Sequence, residues 1–462
     1  MTRRILGIET EYGIMCSARD GGGPPISAED AAQRLFAPVL QAQRTTNAYL
    51  ANGARLYLDV GAHPEYATAE CDGVRDLIIN DRAGDAILAR MADEANDALR
   101  KEGIDGTIRL FKNNLDSEGN SFGCHENYLV RRRRDFRARI DSLIPFFVSR
   151  QIIVGSGYIN THGGHARYNL SQRSYQMVDA VSAASTRSRP MINTRDEPHG
   201  NPELYRRMHV IVGDSNIIDA TCALKTGATA AVLDAMEAGV RFTDVELADP
   251  IAAIRTICED PTGRALVELK RGGTISALDI QASTYEKVVA YLDSSGLMAE
   301  LNPEHLYALD LWKRVLTSLE SGDLAPVSTE IDWVAKKHFI ERYLDRLSVG
   351  LDDPKIARLD LAWHEITRGG LRESLTAAGL IKSRVTPEEI SHALHFPPQT
   401  TRAKVRGDFI ALAQDLRRDY MADWSNIRLI TSEGSHNITL NDPFAASDDR
   451  VDQLMAEMEM GN

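Results

Sequence analysis

The stretch between residues 53 and 72, GARLYLDVGAHPEYATAECD, constrains the fold of this chain more than any other. Apolar and polar side chains alternate in its first half, with Leu56, Leu58 and Val60 on one face of a strand and Arg55, Tyr57 and Asp59 on the other. A glycine, a proline and two further acids, Glu65 and Glu70, follow. The pattern predicts a strand with one buried face and one face rich in functional groups. The solvated outer face of an edge strand is the alternative.

A second strand is predicted over residues 4–13, RILGIETEYG. Its alternation puts Glu9 and Glu11 side by side on one face, next to small residues. Hard cations such as magnesium prefer carboxylate oxygens, so the pair is a candidate for metal ligation. Two solvated acids are the alternative.

Arginines and a histidine are concentrated between residues 183 and 217. Arg206 and Arg207 precede a predicted strand near 208–213 that carries His209, and a loop before them carries Arg187, Arg189 and Arg195. A guanidinium binds phosphate or carboxylate through two parallel hydrogen bonds. His209 with arginine two residues away therefore suits a metal and phosphate site, whereas a satisfied core or edge histidine is the default for any single histidine.

Composition excludes several classes of protein. The 462 residues carry a net charge of -13, which argues against general nucleic-acid binding. The five cysteines include no CxxC pair, so neither a zinc site nor a disulfide framework is indicated. The apolar run after Arg3 and Arg4 ends at Glu9, too early for a signal peptide, and no other stretch is suited to span a membrane. We expect a cytoplasmic protein.

The second half of the chain is mainly helical in pattern from about residue 226 to 380. Trp312, Trp333 and Trp363 lie at helical positions typical of a core. Pro397 and Pro398 break the chain, so we predict a catalytic domain over residues 1–393 and a small C-terminal domain over 394–462. Trp424 precedes a strand of that small domain, where core packing and base stacking are both open.

The polar residues collected in this way suggest a reaction. The acids on predicted strands or strand ends are Glu9, Glu11, Asp59, Glu65, Glu70 and Glu126, and the arginines are Arg55, Arg206 and Arg207. No P-loop, GxGxxG, GxSxG or HExxH motif occurs. Acids that bind magnesium and arginines that hold phosphates can bind ATP without a glycine-rich loop and phosphorylate a carboxylate. A further carboxylate can take the proton of an incoming amine, so the residues favour a metal-dependent carboxylate–amine ligase.

Several long motifs resemble the Pup–protein ligase family of actinobacteria, proteasome accessory factor A. They are GIETEYG, NGARLYLDVGAHPEYATAECD, LFKNN with GCHENYL, TRSRPMINTRDEPH and RRMHVIVGDSN. The resemblance covers essentially the whole chain. It implies an α+β fold similar to glutamine synthetase and γ-glutamyl-cysteine ligase, with a large curved antiparallel sheet that cradles the active site, helices behind it and a small C-terminal α/β domain.

The resemblance also implies an activity. Such an enzyme uses ATP and Mg2+ to phosphorylate the γ-carboxylate of the C-terminal glutamate of Pup, a small acidic modifier, and a lysine of a protein substrate then attacks to form an isopeptide bond. The tagged protein goes to the bacterial proteasome. By matching motifs, Asp59 corresponds to the catalytic aspartate. The other implied roles are magnesium sites at Glu9, Tyr57 and Glu65 and ATP contacts at Arg55, Thr68 and Trp424; Glu11 and His209 are added as metal ligands and Arg207 as a nucleotide contact on geometry.

Two alternatives stay open at this point. The Pup deamidase, which also removes Pup from substrates, is similar in fold, but it carries a long inserted loop where this chain has only residues 16–25 before the first helix. A non-catalytic nucleotide-binding adaptor is the other. Pup is acidic, so we also expect a locally basic groove built from arginines of the 131–139 or 187–207 segments. His162 and His165 have no assigned role.

Overall fold

The computed structural model describes residues 1–18, 21–59, 61–116, 118–161, 164–183, 189–432 and 434–460. Three residues singled out above, Val60, His162 and Arg187, lie outside them. No helix in the described ranges is long and apolar enough to cross a membrane.

Strands of one large sheet form the centre of the molecule. The strands of the chain are β1 (Leu6–Glu11), β2 (Gly13–Ala18), β3 (Asn47–Tyr49), β4 (Arg55–Asp59), β5 (His63–Ala67), β6 (Gly106–Phe111), β7 (Cys124–Arg131), β8 (Tyr158–Asn160), β9 (Arg167–Asn169), β10 (Asp179–Ser182), β11 (Pro190–Asn193), β12 (Tyr205–Val210), β13 (Leu266–Glu268), β14 (Thr274–Ser276), β15 (Asp419–Ala422), β16 (Asn426–Thr431) and β17 (Gly434–Thr439). Eight of them form the sheet in the order β10–β11–β12–β7–β1–β5–β4–β3. All its pairings are antiparallel except that between β10 and β11.

Helices cover one face of this sheet. They are α1 (Ala28–Gln43), α2 (Val74–Lys101), α3 (Phe136–Ser149), α4 (Gln151–Val154), α5 (Asp219–Glu237), α6 (Pro250–Cys258), α7 (Ala277–Ser294), α8 (Pro303–Ser321), α9 (Asp332–Leu347), α10 (Pro354–Ala362), α11 (Leu371–Ala377), α12 (Pro387–Ala393), α13 (Arg402–Asp415) and α14 (Asp449–Glu459). Side-chain caps fix two of the helix starts: Ser27 accepts a hydrogen bond from the amide of Asp30, and Thr386 and Glu389 form a capping box.

The alternation of the central strands explains why helices cover only one face. Leu6 and Ile8 of β1, Tyr128 of β7 and Met208 of β12 are buried in a single apolar core with residues of α2, α3 and α5. Their neighbours along each strand point to the opposite face, which holds the charged side chains. Trp312, Trp333 and Trp363 are buried in the same core, as predicted. A large, mainly antiparallel sheet backed by helices confirms the predicted α+β class.

Two neighbouring elements in sequence separate in the fold: β6 pairs with β2, whereas β7 pairs with β1 and β12. α2 begins at Val74, and Gly73, which has an extended backbone and no side-chain cap, precedes its first turn.

The elements after Pro398 share an apolar core of their own. Val405, Phe409 and Ile410 of α13 pack with Ile427 and Leu429 of β16, and Val451 and Leu454 of α14 close the cluster. β15, β16 and β17 form a three-stranded antiparallel sheet, and β16 is the strand predicted to follow Trp424. We propose residue 394 as the start of this small domain.

Candidate active site

The polar face of the sheet begins at the hairpin of β4 and β5. Gly61 has a φ of 92°, in the left-handed region that favours glycine, and the chain reverses there. The register pairs Tyr57 with Glu65 and Asp59 with His63, so each pair shares a face. Arg55, Tyr57 and Asp59, predicted to share one side of a strand, therefore face the same side as Glu65.

β5 returns next to β1 and brings Glu65 to the two glutamates of the first strand. Glu11 pairs with Glu65, and Glu9 pairs with Ala67. Sequence alternation alone does not place Glu65, because it lies beyond Gly61 and Pro64. The hairpin folds back as the predicted metal site requires.

β7 and β12 complete this face from the other side of β1. Glu9 pairs with His125, and His209 pairs with Asn127. His125 Nδ1 lies 3.3 Å from Glu9 Oε2, and the two imidazole rings are 4.9 Å apart between centroids. Asn127 Nδ2 donates to Glu9 Oε1 at 3.1 Å. Four adjacent strands thus converge on Glu9.

Metal-ligating atoms form two groups on this face. Glu9, His125 and His209 form one, and Glu11, Asp59 and Glu65 form the other; within each group one ligand atom per residue lies within 4.8 Å of the others. His209 Nε2 is buried and has no hydrogen-bond partner in the described part of the chain. An unsatisfied buried nitrogen beside a carboxylate and a cluster of three carboxylates both fit divalent cations, and the oxygen-only group suits magnesium best.

Glycine at position 123 lets these two groups approach each other. A Cβ atom there would lie 2.4 Å from His125 Nε2 and 3.0 Å from Glu11 Oε1. Any larger residue would push apart one member of each group. The GCHENYL motif therefore places its glycine where the backbone passes closest to the site.

The pKa shifts of the site residues also fit metal binding. Burial, together with the neighbouring charges of Glu9 and Glu11, raises the pKa of Glu65 well above its usual range. Burial alone would raise the pKa of Glu9, but the hydrogen bond from His125 and the charges of His209, His125 and Arg207 lower it instead. Burial lowers the pKa of His209 to about 3, which keeps its imidazole neutral and able to bind a metal.

Tyr57 lies between the metal-type groups and the arginine of its own strand. Its hydroxyl donates a hydrogen bond to Glu65 Oε1. Burial and the charges of Glu9 and Glu65 raise the pKa of the Tyr57 phenol well above its usual range, so it remains a donor. The Arg55 guanidinium lies over the Tyr57 ring, 3.9 Å from its centroid, and Arg55 Nε donates to Asn47 Oδ1 at 2.7 Å.

An open pocket lies next to the Glu9 group. Its walls include Thr68 and Glu70 after β5, Arg207 of β12, and Trp424 and Pro443 from the C-terminal elements. Thr68, Arg207 and Trp424, three of the four residues expected to contact nucleotide, line this pocket, and Arg55 does not.

Arg207 connects the pocket to the metal-type group. Its Nη1 donates to Asn127 Oδ1 at 2.8 Å and lies 3.6 Å from Glu9 Oε1, and its Nη2 lies 3.3 Å from Glu197 Oε2. The guanidinium is thus held at the border between the pocket and Glu9, where a phosphate could reach both.

Three of the charged residues that the sequence offered as candidates do not belong to the metal-type groups. Glu126 points to the helical core, where Arg150 binds it through two hydrogen bonds of 2.6 and 2.8 Å. Arg206 also points away from the site, over the Phe136 ring and towards Asp196. Glu70 borders the pocket but is bound by two arginines of α13. Alternation along a strand explains the orientation of Glu126 and Arg206, because each is next in sequence to a residue of the polar face and so points to the other face.

Sequence reasoning missed His125 and Asn127. Both residues lie on β7, which starts at Cys124. The signal was the alternation of the CHENYLV segment itself, in which Cys124, Glu126 and Tyr128 are buried and His125 and Asn127 lie on the face of Glu9. The Gly, Asn and Ser residues just before it obscured where the strand begins.

Residues 4–428 match the model of the family described as Pup-ligase protein. The Pup–protein ligase of Xylanimonas cellulosilytica is 50% identical over 460 residues, which are 99% of this chain and 100% of the relative. That of Mycolicibacterium smegmatis is 49% identical over 459 residues, 99% of this chain and 100% of the relative.

Two solved structures are similar over nearly the whole chain. One is the crystal structure of the complex between the prokaryotic ubiquitin-like protein Pup and its ligase PafA, with a TM-score of 0.92, 44% identity and coverage of 99% of this chain and 92% of that chain. The other is the Pup ligase PafA in complex with ADP, with a TM-score of 0.84, 43% identity and coverage of 94% of each chain. The predicted large-sheet architecture is therefore that of a known ligase structure.

Proposed function

The chain belongs to the Pup-ligase family, and from that premise we propose that it uses ATP and Mg2+ to join the C-terminal glutamate of Pup to lysines of protein substrates. One observation carries the proposal. Two groups of metal-type ligands, built on Glu9 and Glu11, lie on one sheet face beside an open pocket lined by Thr68, Arg207 and Trp424. Metal, nucleotide and a second substrate can therefore meet at one place.

ATP would occupy the pocket next to Glu9. A related structure contains ADP, and Trp424 offers an aromatic ring to a base while Arg207 offers a guanidinium to phosphate. Arg55 does not line this pocket, but it pairs across β4 and β5 with Ala67, which does. Its expected contact with ATP therefore requires part of the nucleotide to extend over β5 towards β4.

Glu9, His125 and His209 and, separately, Glu11, Asp59 and Glu65 would hold Mg2+, with Tyr57 fixing Glu65 through its hydroxyl. Magnesium neutralises phosphate oxygens and the charge that develops on them during transfer. The chain's own contribution is to keep His209 neutral and Glu9 ionised, the two states that bind a cation.

The reaction would take two steps. The γ-carboxylate oxygen of the terminal glutamate attacks the γ-phosphorus of ATP, which yields a γ-glutamyl phosphate and ADP. A lysine amine then attacks the acyl carbon, a carbon–nitrogen bond forms, and inorganic phosphate leaves. Arg207 would stabilise phosphate charge in the first step.

Asp59 would accept the lysine proton in the second step. A lysine ammonium is not a nucleophile, since its ordinary pKa is about 10.4. Asp59 is at the end of β4, half-exposed, and beside Glu11 and Glu65. A carboxylate there is accessible to a lysine on the surface of another protein and near the group that fixes the acyl phosphate.

One assay tests the activity. The protein is incubated with Pup ending in glutamate, ATP, Mg2+ and a lysine-bearing protein, and conjugate and ADP are quantified together. We expect ADP in proportion to conjugate. Deamidation of glutamine-ended Pup without conjugation would instead identify a hydrolase, and absence of both activities would identify a nucleotide-binding adaptor.

A further inference from the structure

A single buried carboxylate joins the C-terminal elements to the large sheet. Glu70 lies after β5 and is 8% exposed, and Arg402 and Arg406, one turn apart on α13, are 2% and 0% exposed. Arg402 Nε donates to Glu70 Oε1 at 2.9 Å, and Arg406 Nη1 donates to the same oxygen at 3.0 Å. Arg406 Nη2 donates to the other oxygen, Oε2. Residues four apart on a helix share a face, so both arginines reach one acceptor.

Other donors of these arginines bind two residues of the pocket walls, while Arg402 Nη1 donates to the carbonyl oxygen of Leu440 at 2.8 Å. Arg402 Nη2 donates to the carbonyl oxygen of His199, and Arg406 Nη1 donates to the carbonyl oxygen of Trp424 at 3.0 Å. The Arg406 guanidinium also lies over the Trp424 ring, 5.1 Å from its centroid. His199 and Trp424 both line the pocket. His199 comes from the segment before β12, and Trp424 comes from the C-terminal sheet.

The backbone at His199 needs such support. Its φ is 48°, a left-handed conformation that is uncommon for a residue other than glycine. The Arg402 hydrogen bond to its carbonyl oxygen holds that conformation. Arg406 supports Trp424 in the same way. Its Nη2 donates to the carbonyl oxygen of Gly53 at 2.7 Å, and so Arg406 links Trp424 to the chain just before β4.

We propose that Glu70 is a positioning residue for nucleotide binding, which acts through Arg402 and Arg406 to set the positions of His199 and Trp424. The inference rests on the proposed function, in which this pocket takes ATP. Two guanidinium groups this close repel each other once they are out of water, and the Glu70 carboxylate is what allows both to stay. Without it, at least one arginine must turn towards solvent and release its pocket wall.

A purely stabilising ion pair predicts something different. Breaking such an ion pair would lower the stability of the protein but would leave the ratio of the KM for ATP to the KM for Pup unchanged. A positioning role separates the two substrates, because Glu70 contacts the arginines that hold His199 and Trp424 and contacts none of the metal-type groups. The ratio of the KM for ATP to the KM for Pup distinguishes the two roles.

The test compares Glu70→Gln with Glu330→Gln. Glu330 is a matched control: it is 6% exposed, accepts hydrogen bonds from Arg314 at 2.8 Å and Tyr307 at 2.7 Å, and lies outside the pocket walls. Both variants lose a buried carboxylate. We expect Glu70→Gln to raise the KM for ATP and the Kd for ADP about 5- to 30-fold, with kcat and the KM for Pup within about twofold of wild type. Glu330→Gln should lower the melting temperature and change neither KM.

An unchanged KM for ATP in a folded Glu70→Gln protein would overturn the inference, as would an equal change in Glu330→Gln. Arg406→Lys serves if Glu70→Gln does not fold, because lysine keeps the charge but cannot bind a carboxylate and a carbonyl through a planar fork. It should raise the KM for ATP selectively, and an unchanged KM there overturns the inference too. Failure of wild type to bind ADP would instead contradict the proposed function itself.

Discussion

His209 Nε2 lies 3.7 Å from Glu9 Oε2, buried and without a hydrogen bond in the described part of the chain. A buried neutral nitrogen next to an ionised carboxylate is poorly satisfied by protein alone and well satisfied by a cation between the two. The pair therefore belongs to the metal-type group that borders the pocket proposed to take ATP.

Replacement of His209 by alanine should weaken metal activation. We expect the Mg2+ concentration for half-maximal conjugation to rise about 10- to 100-fold, because one ligand of the Glu9 group is lost. Titration of Mg2+ in the conjugation assay at saturating ATP measures this. His436→Ala is the control, since His436 is exposed on β17, away from the site. Equal Mg2+ dependence of the two variants would contradict the role of His209.

Asp59→Asn should block lysine attack more than phosphorylation. The amide cannot accept a proton, so conjugation to lysine should fall about 10²- to 10⁴-fold. Hydroxylamine is a nucleophile that is largely unprotonated at neutral pH, and it should still trap the acyl phosphate at a near-normal rate. Pup hydroxamate and ADP are the products to quantify.

The hydroxylamine arm separates two roles of Asp59. Asp59 shares a group with Glu11 and Glu65, so it also has the position of a metal ligand. If its main role is to hold a cation, Asp59→Asn should fail with hydroxylamine as it does with lysine. Asp141→Asn, which changes an exposed carboxylate on α3, should leave both reactions unchanged.

Metal binding should release a proton from Glu65. Burial and the charges of Glu9 and Glu11 raise the pKa of this carboxyl, so the metal-free protein holds a proton there that a bound cation displaces. Affinity for Mg2+ should therefore increase as pH rises towards the raised pKa. Calorimetric titration in two buffers of different ionisation enthalpy counts the protons released. Glu65→Gln should release fewer, and equal release from both proteins would contradict the assignment.

Glu126→Gln should destabilise the protein without affecting metal activation. Glu126 is fully buried and bound by Arg150, so its loss leaves an unpaired guanidinium in the core and should cost about 3–5 kcal/mol of unfolding free energy. Chemical denaturation measures the loss. The Mg2+ dependence of the remaining folded enzyme should be that of wild type. A change in that dependence would show that Glu126 contributes to the metal site.

The basic segment 131–139 should contribute to Pup binding through its unpaired arginines. The guanidinium groups of Arg133 and Arg137 pair with Asp135 and Asp141, whereas those of Arg131 and Arg134 form no ion pair with a carboxylate among the described residues. We expect Arg131→Gln with Arg134→Gln to raise the KM for Pup and to reduce its dependence on salt. Arg133→Gln with Arg137→Gln removes the same formal charge and should have a smaller effect. Equal KM values in the two double variants would contradict a local groove.

Much of the site followed from alternation along single strands. Arg55, Tyr57 and Asp59 share a face because side chains of a strand alternate, and Glu9 and Glu11 share one for the same reason. The specific motifs also indicated the family and the α+β class before any contact was known. These features are local: each depends on a few neighbouring residues or on long matching segments.

Other features depend on pairing between distant strands. Alternation put Glu126 and Arg206 among the candidates because it cannot say which face of a strand meets the helices, and it did not single out His125 because the strand start was hidden among turn-forming residues. Sequence alone made Glu70 a candidate acid of the same kind as Glu65. In the structure two arginines more than 300 positions later bind it. The partner of a charged residue is set by packing, not by its neighbours in sequence.

The amino-acid sequence by itself determined which residues have the chemistry for metal, nucleotide and proton transfer, and which of them share a strand face. The tertiary structure decided how they are grouped: Glu9 with His125 and His209, Glu11 with Asp59 and Glu65, and Glu70 with α13. The physical reason is that alternation has a period of two residues within a strand, whereas register between strands depends on the hairpin at Gly61 and on burial of one whole face of the sheet.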